Sequence, residues 1–584
     1  MFAIDYQFVK KVIRMCGILG GNNSKWNYDK AIKCMRHRGP DGIKISAVKD
    51  FTLAFARLAI MDLSDCGMQP MFSSDKNVCI VFNGEIYGYQ RLRNQLTKRG
   101  YRFNSSTDTE AALIAYLEWG EKFVSNVDGM FGMAIYDKRN GTIKLFRDRM
   151  GIKPLYYYYD GWNFGFSSEL KGILNMCSTV SFKIDRTAIY DYLNYCYIPD
   201  SKTYYKNVYK LLPGHYIEFN IKKRQIIKNV SYWRLKVNEY QGAQRKQEDL
   251  IEELRELIKE TVEEQMIADV PVGTFLSGGV DSSIVTYEGA QVNPQLETFS
   301  VGFTKMKYNE LNFAREFAHR YGINMNEKIF NSDIFERYFH KIKDWYDEPF
   351  ADTSAFPTYI VSKMAKEKVS VVLTGDGGDE VFGGYHRYDR IWQKEKEKGP
   401  DNLLISRIYD AYLKRTKNNN VRSYYWMDDL TFLLKATTGK HKISDKDLRK
   451  QLGIANDYDK FWALRKYYIK ELPPMTRVQY LDIKTYLPED ILTKVDRASM
   501  AVSLETRVPL LSKRLVEFSF SLSEEERCPK GEKKGLLKKT YEAELGKKYL
   551  NRRKQGFAMP FDYFKTEKSP QEYLLDNIWK YQRK

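Results

Sequence analysis

Cys16 stands directly after Met15 and opens the run Cys16-Gly17-Ile18-Leu19-Gly20. A lone cysteine is usually a small core hydrophobe. A cysteine at a mature N-terminus is different, because its own α-amine, with a pKa near neutrality, can take the thiol proton during attack on a carbonyl. A second chemistry-bearing stretch is Ser277-Gly278-Gly279-Val280-Asp281-Ser282-Ser283. Glycine amides and serine hydroxyls at a strand-to-helix turn suit a phosphate group. The GK[ST] ending of a Walker A loop is missing from it. A third stretch, Thr374-Gly375-Asp376-Gly377-Gly378-Asp379-Glu380, is glycine-rich and dense in carboxylates. Hard carboxylate oxygens beside phosphates imply Mg²⁺.

The elements that must carry these residues change character along the chain. In the first third, Phe51–Phe55, Val78–Phe82, Phe131–Tyr136, Thr142–Phe146 and Leu155–Tyr159 read as short strands between Gly, Asp and Asn turns, hence an antiparallel sheet. Tyr89–Lys98 and Thr109–Trp119 read as helices. The polar stretch Lys222–Lys246 reads as an interdomain crossover. Beyond it, Leu250, Ile251, Leu254, Leu257, Ile258, Val262 and Met266 share one helix face. The strand candidates Val272–Leu276, Thr298–Phe303 and Val369–Leu373 alternate with helices, the pattern of a parallel α/β sheet. After about residue 385 the chain reads as mainly helical.

A length of 584 residues is too great for one core and calls for about two to four domains. The 94 Lys+Arg against 75 Asp+Glu give a formal charge of +19, spread over the surface except at Lys533-Lys534, Lys538-Lys539 and Arg552-Arg553-Lys554. Such interleaving indicates a solvated surface rather than a nucleic-acid or membrane partner. The seven dispersed cysteines contain no CxxC pair, which argues against a disulfide framework or zinc site and fits a cytoplasmic protein. No apolar run reaches the roughly 20 residues of a membrane span.

Five motifs follow in order: Met15-Cys16-Gly17-Ile18, His37-Arg38-Gly39-Pro40-Asp41, Arg57-Leu58-Ala59-Ile60, Asn83-Gly84-Glu85-Ile86-Tyr87 and Thr107-Asp108-Thr109-Glu110. Over about residues 15–210 this resembles the glutaminase domain of N-terminal-nucleophile amidotransferases. The resemblance implies Cys16 as nucleophile and the Asn83 side chain and Gly84 amide as oxyanion donors. It implies Arg57 as a fork for the glutamine α-carboxylate, with Leu58, Ala59, Ile60 and Met61 beside it, and Glu85 and Asp108 as receivers of the ammonium. The α-amine is free only if residues 1–15 are absent, so these are expected to be a miscalled start or a cleaved leader.

The SGGxDS loop resembles that of ATP pyrophosphatases. With Asp347-Glu348-Pro349-Phe350-Ala351-Asp352, Tyr385, Lys494-Val495-Asp496-Arg497 and Glu505-Thr506-Arg507-Val508-Pro509, about residues 235–565 resemble the synthetase domain of asparagine synthetase B. The resemblance implies ATP contacts from Leu276, Ser277, Gly278, Gly279, Asp281, Ser282, Val301, Thr374 and Gly375. It implies Mg²⁺ held by Asp281 and Asp379, Asp376 where an acyl-adenylate forms, and Lys534 against the developing phosphate charge. Ser512 replaces a usual aspartate and Lys538 a usual arginine.

The implied fold is an N-terminal αββα antiparallel-sheet sandwich (residues 16–220), then a parallel-sheet α/β ATP-pyrophosphatase domain with a helical C-terminal part (235–565) and a tail (566–584). The implied reaction adenylates the side-chain carboxylate of aspartate with ATP and transfers glutamine-derived ammonia to it through an internal, mostly apolar passage. The same machinery acting on a sugar uronic acid is an alternative that fold and motifs do not separate. An RNA-modifying ATP pyrophosphatase would not need the complete glutaminase half, and a catalytically silent regulator would keep residues 1–15. The partners implied are small molecules, and a homodimer is compatible with the resemblance.

Overall fold

A computed structural model describes residues 16–39, 41–237, 245–304, 309–396, 443–552 and 568–579, with short stretches around 430–434 and 559–566. The expected leader, residues 1–15, lies outside the described residues.

Two six-stranded antiparallel sheets form the N-terminal half. In spatial order the first is β10 (Val208–Lys210), β8 (Tyr156–Tyr159), β9 (Phe164–Ser167), β1 (Gly17–Gly21), β3 (Phe51–Arg57) and β2 (Gly42–Val48). The second is β12 (Gln225–Ser231), β11 (His215–Asn220), β7 (Thr142–Arg147), β6 (Asp128–Asp137), β5 (Val78–Tyr87) and β4 (Met71–Phe72). The inner faces close on one another through Ile18, Phe55, Val81, Leu145, Phe166 and Ile217. Helices Tyr28–Cys34 and Leu170–Met176 cover the outer face of the first sheet, burying Ala31, Ile32 and Ile173. Helices Tyr89–Lys98 and Asp108–Trp119 cover the second through Leu92, Leu96 and Leu113. The layers are therefore αββα, as the resemblance implied.

The polar stretch Lys222–Lys246 is not all crossover, because Gln225–Ser231 pairs with β11 as the edge strand of the second sheet. Most of its side chains face solvent, so no alternating apolar signal marks it.

The second half is built on a parallel sheet, ordered β15 (Asn324–Phe330), β14 (Glu297–Phe303), β13 (Val272–Phe275), β16 (Val371–Leu373) and β17 (Glu505–Arg507). Helix Gln247–Met266 buries Leu250, Leu254, Ile258 and Val262 against helices Val280–Val292 and Gly535–Thr540, while Ile251, Leu257 and Met266 are only partly buried at the margin. Each fully buried Leu or Ile stabilises by about 1.5–3 kcal/mol. The described residues beyond 385 are helical apart from β17 and connections. Among the described residues, no helix is long and apolar enough to cross a membrane.

Candidate active site

The Cys16 thiol leads into β1, which lies between β3 and β9. Its sulfur accepts from Leu58 N at 3.4 Å and lies 3.6 Å from Leu58 O. A pocket beside it is lined by Arg57, Leu58, Ile60, Met61, Gln69, Asn83, Gly84, Glu85, Asp108, Thr109 and Glu505. Eight of the sequence-predicted glutamine-site residues thus meet around Cys16. Ala59 does not line the pocket, and its N–H donates to Asp41 Oδ2 at 3.1 Å.

Strand geometry explains the convergence. β5 runs on past Phe82 to Tyr87 and is paired throughout with β6, with Asn83 opposite Gly132 and Gly84 opposite Phe131. A Cβ on Gly84 would lie 1.9 Å from Met130 O, so only glycine allows this approach. Asn83 is fully buried, and neither its Nδ2 nor its Oδ1 has a hydrogen-bond partner. A buried amide left unsatisfied costs about 1–3 kcal/mol. This amide lines the same pocket as the Cys16 thiol.

Arg57, only 5% exposed, is steadied by donating Nη2 to Asp62 O at 2.6 Å. A Cβ on Gly67 would come within 2.5 Å of that same nitrogen, so the glycine makes room for the guanidinium. Asp108 begins its helix and accepts from Ile86 N at 2.8 Å. Burial above all, with Glu505 adding repulsion, pushes its carboxyl up to about 6. Burial and the neighbouring Asp108 hold Glu85 well above the ordinary carboxylate range. Burial also pushes the Cys16 thiol up to about 12, so a base must accompany its attack.

The residues that the resemblance assigns to ATP gather at the carboxyl ends of β13, β14 and β16, where open α/β sheets bind ligands. Leu276 follows β13 and is fully buried, its N–H donating to Phe299 O at 3.0 Å, and Val301 lies in β14. Ser277 Oγ and Ser282 Oγ are 3.0 Å apart, and Gly279 N donates to Ser277 Oγ at 3.1 Å. Gly279 caps helix Val280–Val292. The second loop presses against the first, since a Cβ on Gly375 would lie 2.6 Å from Ser282 N. Thr374 Oγ1 donates to Asp376 Oδ2 at 2.8 Å. Lys534 Nζ lies 2.6 Å from Asp379 Oδ1 and is also paired with Asp281. The Lys534 ammonium thus stands between the two carboxylates that the resemblance gave to Mg²⁺, and among the described residues no group of three or more His, Cys, Asp or Glu could hold a metal ion. Ser512, where an aspartate is usual, caps helix Lys513–Ser521 by accepting from Leu515 N at 3.3 Å.

An apolar cluster of Leu58, Ile60, Val270, Val371 and Met500 lies at the boundary of the two sites, with Cys16 and Met61 packed against it. Beside it runs a buried set of ion pairs. Arg38 Nη1 reaches Glu169 Oε1 and Asp496 Oδ2, both at 2.8 Å, and Arg497 Nη1 reaches Glu169 Oε1 at 2.8 Å. Arg38, Asp496, Glu505 and Arg507 lie within the sequence motifs, yet nothing in those motifs gives them a role. Gln69, whose Oε1 accepts from Phe82 N at 2.6 Å, had no signal at all.

Two family models match the chain. One, described as "Asparagine synthase", covers residues 253–582, and one described as a "Glutamine amidotransferase domain" covers residues 15–233. Among curated relatives, "Asparagine synthetase [glutamine-hydrolyzing] 1" of Bacillus subtilis (strain 168) is 34% identical, over 94% of this chain and 88% of its own length. "Putative asparagine synthetase [glutamine-hydrolyzing] 2" of Methanocaldococcus jannaschii is 36% identical, over 83% of this chain and 98% of its own.

Proposed function

Since the chain belongs to the asparagine synthase family and carries a glutamine amidotransferase domain ahead of the synthase domain, we propose that it makes asparagine from aspartate, glutamine and ATP. An ATP-dependent, glutamine-using ligase activity goes with that membership. Aspartate as acceptor is the further step, and the B. subtilis relative's name favours it over a sugar uronic acid. The carrying observation is the buried, unpartnered Asn83 amide in the same pocket as Cys16, Arg57, Glu85 and Asp108.

In the glutaminase half, the α-amine of Cys16 takes the thiol proton as sulfur bonds to the amide carbon of glutamine. Asn83 Nδ2 and Gly84 N–H donate to the resulting oxyanion. The proton passes to the departing nitrogen, ammonia leaves, and water cleaves the thioester to glutamate. Arg57 grips the α-carboxylate, and Glu85 with Asp108 receives the ammonium. This scheme requires a chain beginning at Cys16.

In the adenylating half, the acceptor carboxylate attacks the α-phosphorus of ATP and pyrophosphate leaves. The turn Ser277–Ser282 cradles the phosphates and Lys534 offsets their charge. Mg²⁺ held by Asp281 and Asp379 would supply further charge neutralisation. Ammonia then attacks the acyl carbon near Asp376 and AMP departs. The apolar cluster from Cys16 to Val371 is the kind of lining an ammonia passage needs, because water would protonate ammonia and hydrolyse the adenylate. The seven free cysteines suit work in a reducing cytoplasm. The test is pyrophosphate release with glutamine, ATP and a panel of carboxylates. Asparagine accumulating with aspartate is expected; turnover with a uronic acid and none with aspartate would overturn the choice of acceptor.

A further inference from the structure

β17 belongs to the adenylating half, yet one of its side chains lines the glutamine pocket and another bonds to two residues that do. Glu505 lines that pocket, and Arg507 is fully buried beside it. Arg507 Nε donates to Glu505 Oε1 at 2.7 Å and Nη2 to Glu85 Oε2 at 3.3 Å. Its Nη1 is clamped by Gln265 O at 2.8 Å and Ile267 O at 2.7 Å. The backbone of the same residue accepts from Thr374 N at 2.9 Å, at the root of the second nucleotide loop.

The local charge balance gives this guanidinium a purpose. Glu85 on β5, Asp108 at its helix start and Glu505 on β17 bring three acids together. Arg507 offsets them, with Lys153 contributing and Tyr87 nearby. Without a fixed cation, carboxylates buried side by side take up protons and stop attracting an ammonium group. Arg507 opposes that tendency at both Glu85 and Asp108.

We propose that Arg507 is a positioning residue by which the adenylating half completes the ammonium-binding subsite for glutamine, fixing the orientation of the Glu85 and Glu505 carboxyl groups. The glutaminase pocket is then incomplete without a residue from the other catalytic half. This rests on the glutaminase reading above.

The test uses the full chain with Arg507→Gln and Arg507→Lys. Glutamate formation is followed against glutamine concentration from pH 5.5 to 8.5. Pyrophosphate release with ammonium chloride, ATP and aspartate is followed in parallel. Arg507→Gln is expected to raise the glutamine KM about tenfold or more at pH 7, with a smaller change in kcat. The pH at which KM levels off should move upward, because carboxylates robbed of a cation titrate higher. Arg507→Lys should fall between, and ammonia-dependent pyrophosphate release should persist in both. An unchanged glutamine KM and pH profile would overturn the proposal. So would equal loss of glutamine- and ammonia-dependent rates in both variants, which marks a purely structural arginine. Failure of the wild-type chain to form glutamate would instead strike the glutaminase reading, and this inference with it.

Discussion

Arg38 grips both carboxylate oxygens of Asp496, Nη1 to Oδ2 at 2.8 Å and Nη2 to Oδ1 at 3.0 Å, although 458 positions separate them in sequence. Both side chains are buried, and Arg38 Nε also donates to the carbonyl of Cys16 at 3.3 Å. The pair therefore joins the two halves of the chain directly behind Cys16. Replacing Arg38 by Ala leaves the Asp496 and Glu169 carboxylates buried with one cation fewer. Removing one partner of a buried pair costs about 3–5 kcal/mol. Thermal unfolding of Arg38→Ala should show a clearly lower Tm, and Arg38→Ala/Asp496→Leu should recover part of the loss. A Tm unchanged in the single variant would mean that water already solvates this boundary.

Asn83→Ala should lower kcat for glutamine hydrolysis by about 10²–10³-fold with little change in KM, the signature of a donor engaged only in the transition state. Ammonia-dependent synthesis should continue. Steady-state kinetics with glutamine and with ammonium chloride separate the two, and equal losses in both assays would count against an oxyanion role.

Glutamine affinity should depend on pH in one direction. Burial pushes Asp108 up to about 6 and holds Glu85 above its ordinary range, so the free pocket retains protons that the ligand ammonium displaces. Binding that releases protons strengthens as pH rises. The glutamine KM should fall from pH 5.5 toward 7.5, by up to about tenfold per unit where one proton is displaced. A flat profile would show that both acids are already ionised in the free enzyme.

The α-amine mechanism makes a prediction about mass. Catalytically competent protein should begin at Cys16 on intact-mass measurement. Glutamate production by a chain that retains residues 1–15 would remove the α-amine from the mechanism.

Lys534→Met should abolish most pyrophosphate release while glutaminase activity persists, because its ammonium stands between Asp281 and Asp379 and does not line the glutamine pocket. Losing one positioned charge at a phosphoryl centre is expected to cost about 10²–10³-fold. Pyrophosphate release within twofold of wild type would return Lys534 to the class of ordinary buried lysines.

Several elements were legible because their signals are local. Tyr89–Lys98 is a helix at the bounds its periodicity predicts, started by Gly88 in the left-handed region. The parallel sheet announced itself as apolar strands alternating with helices. β5 runs five residues beyond Phe82, since Asn83-Gly84-Glu85-Ile86-Tyr87 carries chemistry in a strand whose apolar pattern has lapsed. β12 and β17 were invisible for related reasons: one is a polar edge, the other only Glu505-Thr506-Arg507. Pairing with a neighbour makes these segments strands, and the identity of the neighbour is not a local property.

The same division runs through the sites. The types and order of Cys16, Arg57, Asn83, Glu85, Asp108 and the two glycine-rich loops carry the reaction class, because a nucleophile, oxyanion donors and a phosphate cradle are chemistries of particular residue types within short motifs. That Asn83 is left unpartnered, that Lys534 stands between Asp281 and Asp379, and that Arg38 and Arg507 reach from one half into the other are decided only by the fold. A buried charge is stable only beside its counter-charge, and nearness across hundreds of residues is a property of the packed chain.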